Sequence, residues 1–317
     1  MGLLTDARWM GAALGLSERS RGRTAPNPNV GCVLVRDGRV VGRGWTQPGG
    51  RPHAEAMALA QAGEKSRGAT CYVTLEPCAH LSPRGPACAD LLATAGVGRV
   101  VIALGDPDPR TNGAGAARLR EAGIDVVEGI AEAPARAAMA GFFARQARRR
   151  PFVTLKLATS LDGGIALASG ESRWITGPEA RAHAHLERAR HEAILVGRRT
   201  WEIDRPSLDV RLLGLEARSP RRLVLSSQGD LARPADIAGL EGVDHLLVEG
   251  GAETAAAFLR EGVVDRLLLY RAPVLIGGGK PALADIGLTD LAAAHGRWRL
   301  SDTRMLGSDR LEVYASN

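Results

Sequence analysis

Apolar positions along the chain switch repeatedly between two spacings. Residues 30–36 and 39–44 are short Val-rich runs on either side of Asp37-Gly38. Such a pair predicts two strands joined by a two-residue turn. Residues 5–17 suit a helix with Thr5 as its N-cap. Residues 53–62, rich in Ala, Met and Leu, predict a second helix. Residues 70–75 predict a strand, and residues 88–95 a helix closed by Gly96. A strand over 99–104, a helix over 114–122 ending at Gly123, a short strand over 125–127 and a helix over 133–147 follow. Strands that alternate with helices imply a layered α/β domain.

Arg148-Arg149-Arg150-Pro151 interrupts the pattern. It reads as a domain junction, with the basic run as a solvated helix end beside a linker. Beyond it lie a strand over 152–158, a helix over 178–190 and a strand over 193–196. Strands over 222–225 and 245–248 come next. Gly250-Gly251 precedes a helix over 252–260, and 264–270 reads as a strand. Residues 297–306 and 309–314 form a closing hairpin around Gly307-Ser308. The expectation is two α/β domains, 1–147 and 151–317, which agrees with the chain's 317 residues.

Composition narrows the class. An apolar share of 45% with 24% charged residues is that of a globular protein. No apolar run reaches the roughly 18 residues of a membrane span. Asp6 and Arg8 interrupt the N-terminus where a signal peptide would be apolar, so a cytoplasmic protein is expected. There, the four cysteines, Cys32, Cys71, Cys78 and Cys88, fit metal binding or burial better than disulfides. Cys32 and Cys71 lie in apolar strands and are expected to be buried and inert. Residues 1–150 hold 20 basic and 13 acidic residues, whereas 151–317 hold 21 and 22. A basic first half fits a phosphate-bearing ligand or a solvated surface.

The sharpest chemistry lies in Pro52-His53-Ala54-Glu55, Glu76-Pro77-Cys78 and Cys88. Hydrolytic deamination needs a water made nucleophilic at neutral pH, which zinc provides. It also needs a carboxylate to carry the proton to the ring and the departing ammonia. Three protein ligands leave zinc an open position. His53, Cys78 and Cys88 supply those three, and Glu55 is the natural proton carrier. His53 and Cys88 each open a helix, where a thiolate is favoured. The pattern follows the zinc deaminase signature except in its last spacing, where Cys-x-x-Cys is commoner and nine residues intervene here.

With that long spacing, Thr74-Leu75-Glu76-Pro77-Cys78-Ala79-His80 up to Cys88 resembles the deaminase half of the bifunctional riboflavin-biosynthesis deaminase–reductases. Asn27-Pro28-Asn29-Val30-Gly31, Gly50-Arg51-Pro52-His53-Ala54-Glu55 and Asp106-Pro107-Asp108-Pro109 before Asn112-Gly113 continue the match. The family's loop usually reads Gly-Arg-Thr-Pro-Pro before the second Cys. Here Leu81-Ser82-Pro83-Arg84-Gly85-Pro86-Ala87 is longer and reordered. In the second half, residues 152–163, 169–176, 197–211, 248–251 and 273–278 resemble the family's reductase half.

The resemblance implies a cytidine-deaminase-like three-layer α/β/α domain followed by a dihydrofolate-reductase-like α/β domain. It implies zinc and NADPH as cofactors, a pyrimidine ribose phosphate as substrate, and a homodimer. NADPH contacts would fall at Ala158, Trp174, Thr200, Asp204 and the stretch Gly251, Ala252, Glu253, Thr254, Ala255, Ala256, Ala257. Substrate contacts would fall at Ser172, Arg188, Leu208, Arg211 and Glu249, with both arginines suited to a phosphate. Arg205 stands where the family often has Asp, and Trp201 where it often has Val. Gly277-Gly278-Gly279-Lys280 lacks the spacing of a phosphate-binding P-loop. The rival reading is a tRNA- or DNA-editing deaminase with an accessory domain. An aromatic content of 4%, not interleaved with the basic residues, argues against nucleic acid as a partner. A third reading keeps one half as an inactive scaffold.

Overall fold

A computed structural model describes residues 3–80, 82 and 84–317. The chain divides into two compact units, Met1–Ala147 and Arg148–Asn317.

The first unit begins with α1 (Leu3–Ser17), β1 (Gly31–Arg36), β2 (Arg39–Trp45), α2 (Ala54–Ala62) and β3 (Thr70–Val73). It continues through α3 (Cys88–Thr94), β4 (Arg99–Ile102), α4 (Ala114–Glu121), β5 (Asp125–Glu128), α5 (Glu132–Ala138) and α6 (Ala140–Arg148). The five strands form one sheet in the order β2-β1-β3-β4-β5. β1 runs antiparallel to β2 and β3, and β3, β4 and β5 are parallel. Asp37 and Gly38 turn the hairpin with φ of 51° and 71°.

Two glycines show how helices reach both faces. A Cβ on Gly31 would lie 1.9 Å from the carbonyl oxygen of Ala13 in α1. A Cβ on Gly44 would lie 2.0 Å from that of Ala54 in α2. Gly31 pairs with Trp45 and Cys32 with Gly44, so the two glycines face opposite sides of the sheet. The sheet is therefore a middle layer between α1 and α2. Cys32 and Cys71 are fully buried in it, with sulfurs 3.5 Å apart and no disulfide.

The second unit contains β6 (Phe152–Thr159), β7 (Gly164–Ala166), α7 (Pro178–Arg188), β8 (Ala193–Gly197), α8 (Arg198–Asp204) and β9 (Arg221–Leu225). Then come β10 (His245–Val248), α9 (Ala252–Arg260), β11 (Arg266–Arg271), β12 (Lys280–Pro281), β13 (Trp298–Leu306) and β14 (Asp309–Ser316). Its main sheet has seven strands in the order β13-β14-β11-β6-β10-β8-β9. β11, β6, β10, β8 and β9 are mutually parallel, and β14 and β13 add an antiparallel edge. β8 and β10 are buried along their whole length, as parallel strands covered on both faces must be. β7 and β12 form a separate pair.

The structure corrects several sequence expectations. α1 already includes Leu3, so Thr5 lies inside the helix rather than capping it. The helix expected over 133–147 is two helices, broken at the non-helical Met139, whose side chain is fully buried in the core. α8, β7 and β12 had no readable pattern, being short and, in α8, without a buried face. The basic run is not merely solvated. Arg150 is 13% exposed and donates to Asp265 at 2.6 and 2.8 Å. Asp265 also pairs with Arg148 and accepts the Val153 N–H at 2.8 Å.

Candidate active sites

His53 is the N-cap of α2, extended at φ −72° and ψ 163°. Because α2 lies on the bare backbone of Gly44, its first turn is held tightly against the sheet edge. Cys78 lies beyond the end of β3, and Cys88 is the first residue of α3. The Cys78 and Cys88 sulfurs stand 3.6 and 3.4 Å from His53 Nδ1. All three ligand atoms lie within 4.8 Å of one another. Around a tetrahedral zinc, nitrogen and sulfur ligands stand about 3.6 Å apart. Donor set and spacing therefore fit zinc with one position left for water. The Cys88 backbone N–H donates to Cys78 Sγ at 3.3 Å, which stabilises a thiolate. The hydrogen bond between the two thiols draws Cys78 down to about 3, and the same bond together with burial pushes Cys88 up. A dication bound by all three would hold both as thiolates.

Glu55 sits in the first turn of α2 and is 3% exposed. Burial raises its carboxyl to about 7, and a nearby dication would lower it. A cavity of about 320 Å³ opens over the cluster. Asn27, Arg51, His80, Arg84, Asp106, Asp108 and Arg110 line it together with His53, Glu55 and Cys78. Burial also raises Asp106, to about 6. Of the reordered loop before Cys88, Leu81 and Pro83 lie outside the described residues.

In the second unit, a cleft of about 990 Å³ crosses the carboxyl ends of β6, β10 and β8. Of the expected residues, Ala158, Ser172, Thr200, Asp204, Glu249, Gly251, Ala252, Glu253 and Thr254 line it. Trp174, 64% exposed, lies outside the lining, with the Arg181 guanidinium 4.8 Å from its ring. Ala255 and Ala256 are buried in the core of α9, and Ala257 is on the same helix outside the lining. Leu208 packs with Ile194, Val196 and Leu247. Arg211 is directed at Asp209 and His185. Arg188 does not line the cleft; it grips Glu249 with bonds of 2.7 and 2.9 Å. Burial raises the Glu249 carboxyl, but Lys156 and Arg188 outweigh it and hold the carboxyl at about 2.

Lys156 was missed. It lines the cleft and stands 3.6 Å from Glu249 Oε2. Its signal was a lone charge inside an apolar strand, in a chain with only three lysines.

Residues 4–104 match the family described as the cytidine and deoxycytidylate deaminase zinc-binding region. Residues 151–241 and 238–311 match the RibD C-terminal domain. Fold, ligand cluster and these matches define a zinc-binding deaminase domain joined to a reductase domain. The riboflavin biosynthesis protein RibD of Aquifex aeolicus is 38% identical over 90% of this chain and 92% of its own. That of Escherichia coli is 38% identical over 96% and 98%. A solved deaminase/reductase from Thermotoga maritima superposes with a TM-score of 0.87 at 31% identity, covering 99% of both chains. The chain belongs to the RibD family, the bifunctional deaminase–reductases of riboflavin biosynthesis. Its cofactors are zinc and NADPH. Membership sets aside the nucleic-acid-editing alternative. No helix among the described residues is long and apolar enough to cross a membrane.

Proposed function

We propose that residues 1–147 deaminate 2,5-diamino-6-ribosylamino-4(3H)-pyrimidinone 5′-phosphate. Residues 151–317 then reduce the ribosyl group of 5-amino-6-(5-phosphoribosylamino)uracil to ribityl. The observation that carries the reading is the His53, Cys78 and Cys88 cluster with buried Glu55 two residues beyond the histidine. Zinc held there would make a water nucleophilic near neutral pH. Glu55 would take one proton from that water and deliver it to the ring nitrogen, and would then pass the proton of the newly added hydroxyl to the departing amine, leaving the carbonyl. Arg51 and Arg84 are cations on the cavity lining suited to the ribose phosphate, whereas Arg110 is paired with Asp108 at 2.5 Å.

NADPH supplies the hydride in the second half. Ala158, Thr200, Asp204 and the turn at Gly251 are the cofactor contacts best supported by position. Trp174 and Ala255 to Ala257 remain proposed contacts by resemblance. Ser172 and Glu249 border the same cleft and would orient the sugar. Lys156, beside Glu249, and Lys280 both line that cleft, and Lys156 is proposed to hold a proton near the sugar carbon that receives the hydride. Leu208 and Arg211 are proposed substrate contacts by resemblance, and Arg188 acts by fixing Glu249.

The protein is proposed to be cytoplasmic, where its four free thiols stay reduced, and to form a homodimer. The exposed strand β13, with Leu300 and Met305 outward, supports a pairing surface; light scattering tests it.

The decisive test is mass spectrometry of products from the diaminopyrimidine phosphate with and without NADPH. A deaminated ribosyl product without NADPH and a ribityl product with it are expected; no product would refute the reading. Glu55→Gln should lower ammonia release by roughly 10²–10⁴-fold with zinc content unchanged. Retained deamination would remove Glu55 from its role.

A further inference from the structure

Cys78 is flanked, two residues away on each side, by side chains that hold one and the same loop. Glu76 is 4% exposed. Its Oε2 accepts the N–H groups of Asp106 at 3.2 Å and Gly113 at 2.9 Å. Its Oε1 accepts the Ala116 N–H at 3.1 Å. On the other side, His80 Nδ1 lies 3.3 Å from Thr111 Oγ1. The loop so held brings Asp106, Asp108 and Arg110 to the wall of the deaminase cavity. A backbone contact fixes the same spacing: a Cβ on Gly115 would lie 2.0 Å from the Pro77 carbonyl oxygen.

Glu76 borders the cavity, but both its oxygens are engaged by backbone donors. Three converging N–H groups need an acceptor-only side chain with two oxygens. We propose that Glu76 is a positioning residue of the deaminase. It ties the substrate-facing loop over 105–113 to the strand end that bears Cys78, and so holds metal and pyrimidine in register. The proposal rests on the deaminase function given above.

Glu76→Gln keeps the volume but turns an NH₂ group toward at least one N–H donor. In the full-length, zinc-loaded chain, ammonia release is followed against pyrimidine phosphate concentration. A KM raised roughly tenfold, with kcat changed less than about threefold, marks lost binding of a correctly placed substrate. Zinc stoichiometry should hold, and reduction of the deaminated substrate by the same protein should be unchanged. Gly115→Ala, which pushes α4 off Pro77, should shift KM in the same direction. A lowered melting temperature with KM and kcat both unaltered would make Glu76 merely structural and overturn the proposal. Zinc loss with a matching fall in kcat would also overturn it, by placing the effect on the ligand. If the unsubstituted chain released no ammonia, the deaminase function itself would fall, and this inference with it.

Discussion

Replacing Arg188 with Met takes two hydrogen bonds from a carboxylate that water barely reaches. The Glu249 side chain is 9% exposed and its carboxyl is held at about 2 against burial, by Lys156 and Arg188. The gap between that value and the usual 4.5 corresponds to roughly 3 kcal/mol at neutral pH. Because the folded-state pKa is depressed, this stabilisation is complete above about pH 4.5 and is lost as the pH falls toward 2. In the variant, Lys156 at 3.6 Å is left alone against burial. Breaking a buried pair costs roughly 3 kcal/mol or more, and Lys156 keeps part of it, so about 2–3 kcal/mol is expected. In a domain this size each kcal/mol lowers the melting temperature by about 2–4 °C. Scanning calorimetry at pH 7 should show the second unit's transition lowered by roughly 4–12 °C. The gap from the parent should close as the pH drops from about 4.5 toward 2. A transition within about 1 °C of the parent at pH 7, or a gap indifferent to acid, would refute the reasoning.

Two further substitutions probe other parts of the molecule. Cys88→Ala should lose bound zinc, measured by atomic absorption, and ammonia release with it, while NADPH oxidation with the deaminated substrate persists; zinc retained in full stoichiometry would remove Cys88 from the ligand set. Asp265→Ala strands the mostly buried Arg150 and should cost roughly 3 kcal/mol in chemical denaturation of the second unit; an unchanged midpoint would show the pair to be energetically idle.

Local chemistry was legible and long-range pairing was not. The Asp37-Gly38 turn, the helix starts at His53 and Cys88, and the buried state of Cys32 and Cys71 follow from neighbours in the chain. So does the ligand set, whose residue types are those its chemistry needs, even though nine residues rather than two separate its cysteines. Arg188 and Glu249 are 61 positions apart. Nothing local distinguishes a guanidinium reserved for a buried carboxylate from one reserved for a phosphate. Arg150 meeting Asp265, 115 positions away, was hidden in the same way and read as a solvated charge. The break at Met139 is marked in the sequence only by Gly141 two residues on, too weak a signal by itself to split a helix, and the methionine there is fully buried in the core.

The bare-backbone seat of α2 on Gly44 has a mechanical consequence. His53 and Glu55 ride on one rigid turn, so any swelling of β2 displaces them together and preserves their mutual geometry. Cys78 and Cys88 are referenced to other elements and would stay behind. Strain at that strand edge would therefore surface first as a widened nitrogen–sulfur gap, and thus as a looser grip on zinc. The relay between the metal's water and the proton carrier would be the last thing to drift.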